Sequence, residues 1–115
     1  MTLAKIIQPG FSTADAEYPE IIIESNGIVL KFVDWQENKV EILFAEAVAY
    51  KWQTIETLIE GEADDCSHII EDSEWVNEHI NQDIIGPNDN YIHYKLNFNS
   101  TGQFEVISAN LVVKT

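Results

Sequence analysis

Residues 20–35 read EIIIESNGIVLKFVDW. The run opens on three consecutive isoleucines, a β-branched stretch that favours extended backbone. Asn26-Gly27 follows, the strongest short hairpin signal a sequence offers. Beyond it Ile28, Leu30 and Phe32 fall on one side and Lys31 on the other, the period of two of a half-buried strand. Two antiparallel strands joined by a tight turn are therefore predicted.

The same period continues outward. QENK at 36–39 is polar enough for a turn. VEILF at 40–44 then alternates, with Val40, Ile42 and Phe44 inward and Glu41 outward. A further strand over roughly 47–52 carries Val48, Tyr50 and Trp52 on one face. Near the C-terminus YIHYKLNF at 91–98 sets Ile92, Tyr94, Leu96 and Phe98 against His93, Lys95 and Asn97. NSTG makes a turn, and QFEVIS at 103–108 and NLVVK at 110–114 complete the strands. Strands in immediate succession favour antiparallel neighbours over parallel βαβ units.

The middle of the chain breaks the pattern. Ile55, Leu58 and Ile59 fit either a short helical stretch or a strand tail. GEADDCS at 61–67 reads as loop and HII at 68–70 as a short strand. Asp72 or Ser73 is a suitable N-cap, with Glu74 in the first turn where the helix dipole favours an acid. Trp75, Val76, His79 and Ile80 share one face of a helix over about 73–82, and Gly86-Pro87 ends that element. Residues 9–19, opened by Pro9-Gly10 and closed by Pro19, read as loose. The expectation is a β-rich α+β fold spanning 1–115 as a single domain. It is an antiparallel, curled sheet of about six or seven strands with one helix packed on it.

A chain of 115 residues has room for one core. Its charge is lopsided: 20 Asp and Glu face 6 Lys, for a formal net charge of −14. Direct nucleic-acid or anionic-membrane binding is excluded on that balance, because both demand basic patches. No apolar run is longer than Ala47-Val48-Ala49-Tyr50, far short of the ~20 residues of a membrane-spanning helix. MTLAKIIQPG lacks the apolar core and cleavage site of a secretory signal, so a cytoplasmic location is expected. The single Cys excludes an internal disulfide framework.

The acids are not evenly spread. Between Lys51 and Lys95 there is no basic residue beyond His68, His79 and His93, while eleven acids occur there. Those acids lie on predicted loops and one helix, the parts of a fold that most often make contacts. A solvated face is one reading. The sharper one is a docking surface for a basic protein, which would offset the self-repulsion and gain a fast, salt-sensitive association rate. Contact residues expected on that reading are Glu60, Glu62, Asp64, Asp65, Glu71, Asp72, Glu74 and Glu78. Trp35, at a hairpin end, is the tryptophan most exposed to a partner; Trp52 and Trp75 read as core or core margin.

Catalytic chemistry has no motif here. Cys66 and His68 stand in an acidic loop, where Asp64 and Asp65 oppose the thiolate a nucleophile needs. Cys-x-His lacks the second half of a zinc site. GEADD does not follow the ligand spacing of a calcium loop, and no P-loop, GxGxxG, GxSxG or HExxH occurs. No enzyme activity and no cofactor are expected.

The DSEW helix start at 72–75, followed by HYKLNFNSTGQFEVIS at 93–108, resembles a pattern in small bacterial proteins grouped with toxin-neutralising immunity proteins. The resemblance is confined to the C-terminal third and rests on strand–turn–strand residues. It implies a binding role and supplies no site residues; the acidic charge, whose carboxylates can stand where phosphates lie, makes a basic protein such as a toxin nuclease domain the expected partner. Two alternatives stand beside it. One is a structural or homo-oligomeric component pairing through a strand edge such as 110–114. The other is a divalent-cation binder using the same carboxylates.

Overall fold

The computed structural model describes residues 1–114. Nine strands and one helix follow in the order β1 (Leu3–Ile7), β2 (Glu17–Glu24), β3 (Gly27–Val33), β4 (Lys39–Ala45), β5 (Ala49–Gln53), β6 (Ser67–Glu71), α1 (Glu74–Asn81), β7 (Ile92–Phe98), β8 (Gly102–Ser108) and β9 (Asn110–Lys114). All neighbours pair antiparallel. They form two sheets, one ordered β1-β6-β7-β8-β5 and the other β2-β3-β4-β9. The expected single curled sheet of six or seven strands is thus corrected to a two-sheet sandwich of nine.

Alternation explains each sheet's inner face. Ile28, Leu30, Phe32, Ile42 and Phe44 from the four-stranded sheet meet Tyr94, Leu96, Phe98, Phe104 and Val106 from the other. Phe32 and Phe98 meet edge to face at 5.0 Å, and Phe44 lies 5.5 Å from Phe104, geometries that suit aromatic quadrupoles. These are the inward residues that period two picks out.

The split into two sheets comes from two short crossings. After β4 the chain turns at Glu46, which takes a left-handed φ of 54° and donates its N–H to Asn26 O. It then joins the far edge of the other sheet as β5. The return passes through Ala109, whose N–H donates to Ala45 O at 3.0 Å. A left-handed glutamate carries no glycine flag, so the crossing leaves no mark in the sequence.

The first hairpin forms as read, with a shifted turn. Glu24 pairs with Gly27, so Ser25 and Asn26 make the loop and Gly27 begins β3. Gly27 has φ +148°, and a Cβ there would lie 2.1 Å from Phe44 O. Glycine is needed because β4 passes against its backbone.

The helix also forms as read. Ser73 caps α1 and accepts the Val76 N–H, Gln82 closes it, and Glu74 sits in the first turn. It lies on the outer side of the five-stranded sheet through Trp75, whose ring meets His93 edge-on at 5.1 Å. Among the described residues no helix is long and apolar enough to cross a membrane.

Candidate functional site

The outer face of the five-stranded sheet is polar and yet out of water. His68, His93, Lys95, Asn97, Gln103 and Glu105 are all buried there. The β7–β8 register sets Lys95 opposite Glu105 and Asn97 opposite Gln103. Such a layer is costly unless each group finds a partner. The partners come from residues 54–66, which run over this face without strand or helix, and from the start of α1.

Glu62 is the centre of the layer. Its carboxylate lies 2.9 Å from Lys95 Nζ, with the two side chains 0% and 5% exposed. It also accepts from Asn97 Nδ2 at 2.8 Å, Gln103 Nε2 at 3.3 Å and the Ile59 N–H at 2.8 Å. The expectation that Glu62 is a surface contact is therefore corrected. It is held inside by the only lysine on β7, because an unpaired ammonium buried there would be far more costly.

Around this pair the sheet grips the loop by its backbone. Lys95 Nζ and Gln103 Nε2 both donate to Thr57 O at 3.0 Å, and the Thr57 N–H donates to Gln103 Oε1 at 3.1 Å. Gln53 Nε2 donates to Ile55 O at 2.9 Å. Asn97 Nδ2 donates to Ala63 O at 2.7 Å, leaving its own Oδ1 without a partner. The Ala4 N–H donates to Glu60 O, which stitches the loop to β1. Gly61 is required at that seam: its φ is +88°, and a Cβ would lie 2.1 Å from Ala4 O.

His68 closes the loop's far end. Its Nε2 accepts the Ala63 N–H at 3.0 Å, so the hydrogen sits on Nδ1, which donates to Lys95 O at 3.2 Å. Burial pushes its pKa down, outweighing the Lys95 carbonyl and the Glu62 charge that act the other way. Both ring nitrogens are engaged, so neither is free to ligate a metal.

A second chain of bonds fixes the helix. Ser73 Oγ lies 2.7 Å from His93 Nδ1, and His93 Nε2 lies 2.8 Å from Glu105 Oε1. Burial pushes the Glu105 carboxyl up, but the bond from His93 and the charges of Lys51, His93 and Lys95 outweigh it and hold it low. These are the residue types of an acyl-transfer triad. Ser73 Oγ, however, already accepts the Val76 N–H as the helix cap and is buried. A cleft of about 270 Å³ beside it is lined by Lys51, Glu74, Trp75, Glu78 and His93 among others, with the Lys51 ammonium 4.4 Å above the Trp75 ring.

The remaining expected contacts are exposed, in two groups. Glu60, Glu71, Asp72, Glu74 and Glu78 surround the start of β1, where Asp72 bonds the Met1 amino terminus and Glu71 lies 4.0 Å from Lys5. Asp64 and Asp65 lie at the other end of β6, about 13 Å away along a five-residue strand. Among the described residues Glu60, Asp64, Asp65, Glu74 and Glu78 form no ion pair. Trp35 is 60% exposed, as expected, but stands on the β3–β4 turn of the other sheet. Its neighbours Asp34, Gln36 and Asn38 share a cleft of about 590 Å³ with Asp65 and Cys66. Burial and the adjoining Asp65 and Asp64 push the Cys66 thiol up. Among the described residues no three carboxylate, imidazole or thiol groups are arranged to hold a metal ion.

Sequence reasoning missed the buried layer because a polar residue opposite an apolar one reads as facing water. One signal was present: Lys95, Asn97, Gln103 and Glu105 alternate with apolar residues along two strands joined by a short turn, four polar side chains that would share one face. No family model matches the chain, and no curated protein or solved structure matches it either.

Proposed function

We propose that this protein is a non-catalytic binder that docks a basic protein, of the toxin-nuclease class, through residues 54–78. One observation carries the reading: a buried ion pair and its amides bond an irregular, acid-rich loop to the sheet beneath it. Burying Glu62 with Lys95 is a poor way to gain stability, since an apolar pair often serves as well or better. It does position a loop, and loops held on rigid scaffolds are where binding residues concentrate. The exposed acids around it can stand where phosphates would lie in a nuclease cleft and steer a cationic surface inward.

The Ser73–His93–Glu105 chain is a strut that joins the helix to β7 and β8. The test of the binding reading is capture from the protein's own cells at low ionic strength, followed by kinetics on the purified partner. The partner should be basic, and its association rate should fall steeply between 50 and 500 mM salt as screening tightens. A neutral or acidic partner bound with no salt dependence overturns the reading.

A second reading has its own support. β9 is the outermost strand of its sheet, with Val112 half exposed, and an unpaired edge can accept a second copy. Light scattering decides it: a concentration-independent monomer removes this alternative.

A further inference from the structure

We propose that the element which holds the partner is the apolar triplet Ile55, Leu58 and Ile59, and that it fits a hollow on a protein surface rimmed by lysine or arginine. This rests on the binding reading above and narrows it: carboxylates set the rate of encounter, and aliphatic anchors set the lifetime of the complex.

The three residues are 79%, 50% and 38% exposed. They occur within five residues of a segment that has no strand or helix of its own. An ordinary surface loop turns its apolar side chains onto the fold and leaves its backbone to water. Here the relation is reversed. Ile55 O, Thr57 N, Thr57 O and Ile59 N all bond inward, to Gln53, Gln103, Lys95 and Glu62. The sheet beneath offers those aliphatic groups a mostly polar face; only Ile59 has apolar neighbours in its cleft, Ile70 and Trp75. With the backbone fixed inward, the side chains are displayed.

Rigid display of this kind lowers the ordering cost of association and lengthens the life of a complex. Exposed apolar groups clustered inside a charged rim are the form that partner-binding surfaces take. The rim indicates the partner's chemistry. Glu56 lies within the triplet and Glu60 follows it directly, and both are exposed. The lysines nearest it are engaged, Lys95 with Glu62 and Lys51 with Trp75 and Glu105. Hydrophobic anchors within a negative rim are complementary to an apolar hollow within a positive one.

The experiment has two stages. First, the photo-reactive residue p-benzoylphenylalanine replaces Leu58 in one variant and Val112 in another, each expressed in the cells that make the protein. Cross-linking at position 58 should join one basic protein at an apolar residue next to Lys or Arg, and position 112 should not. A cross-link from position 58 to a second copy of this chain, or none at all, overturns the proposal. Second, kinetics on that purified partner compare L58D and I55S with the triple variant E56Q/E60Q/D64N. Circular dichroism checks that each folds, which such exposed sites permit. The anchor variants should raise the dissociation rate about thirtyfold or more with association little changed, the behaviour of a hot spot. The triple variant should slow association alone. If the anchor variants leave dissociation unchanged while the triple variant slows association, the anchors fail and the electrostatic reading survives. If a neutral partner is lost only from the anchor variants, the anchors stand and the basic-partner reading fails.

Discussion

Glu62 Oε1 and Lys95 Nζ lie 2.9 Å apart, thirty-three residues distant in sequence and both out of water. The lysine is the only Lys or Arg on β7 and β8, the strands that carry most of the polar face. The glutamate is the only member of the acid-rich segment drawn wholly inside. Their contact ties a stretch without strand or helix to the sheet and leaves the other acids of that stretch outside.

Breaking the pair should be severe. E62Q leaves a buried ammonium without its counter-charge, a change that costs about 3–5 kcal/mol. K95M should cost a similar amount. The double variant E62Q/K95M should lose less than the sum, with a coupling of about 1–3 kcal/mol, measured by denaturant titration of all four proteins. Additive losses would show that the two groups do not act on each other.

Acid should weaken the fold in a defined window. The folded His68 has a lowered pKa, so below about 6.5, the ordinary histidine value, the unfolded chain takes up a proton that the folded one refuses. The His68 contribution is therefore whole above that pH and is lost as pH falls through the folded value. Glu105, also lowered, adds a second loss at more acid pH. Thermal melts from pH 8 to 4.5 should decline from about 6.5 downward, and H68Q should flatten the first part of that decline.

Cys66 should be a sluggish thiol. Burial and two aspartates raise its pKa, so little thiolate forms at neutral pH. Iodoacetamide at pH 7 should modify it more slowly than free cysteine, and D64N/D65N should speed the reaction.

Ser73 should behave as a cap. S73A removes the helix N-cap and the hydroxyl facing His93, at about 1–2 kcal/mol of stability. Hydrolysis of p-nitrophenyl acetate should be the same for wild type and S73A, and a fluorophosphonate probe should not label Ser73. Labelling of Ser73 would make the Ser73–His93–Glu105 chain catalytic.

The fold was legible where one face of a strand is apolar. Ile28, Leu30 and Phe32, and Ile92 through Phe98 at alternate positions, marked the inner faces, and Ser73 with Glu74 marked the helix start. Two features were hidden. β1 is short, with Leu3 and Ile6 exposed, so its pattern carries little periodicity. The crossing between sheets turns on Glu46 in a conformation that its residue type does not advertise. At the site, exposure of Trp35 and of most of the acids followed from charge and turn chemistry. Glu62 did not, because only the three-dimensional position of Lys95 separates it from Glu60 and Asp64.

Amide hydrogen exchange of the unmodified protein at neutral pH tests the pinned loop most directly. If the polar layer holds residues 54–63 in place, the N–H groups of Thr57, Ile59, Glu62 and Ala63 will exchange slowly, on the scale of the strands β7 and β8, and E62Q will release them. Exchange of those four amides at the rate of a free chain would contradict it.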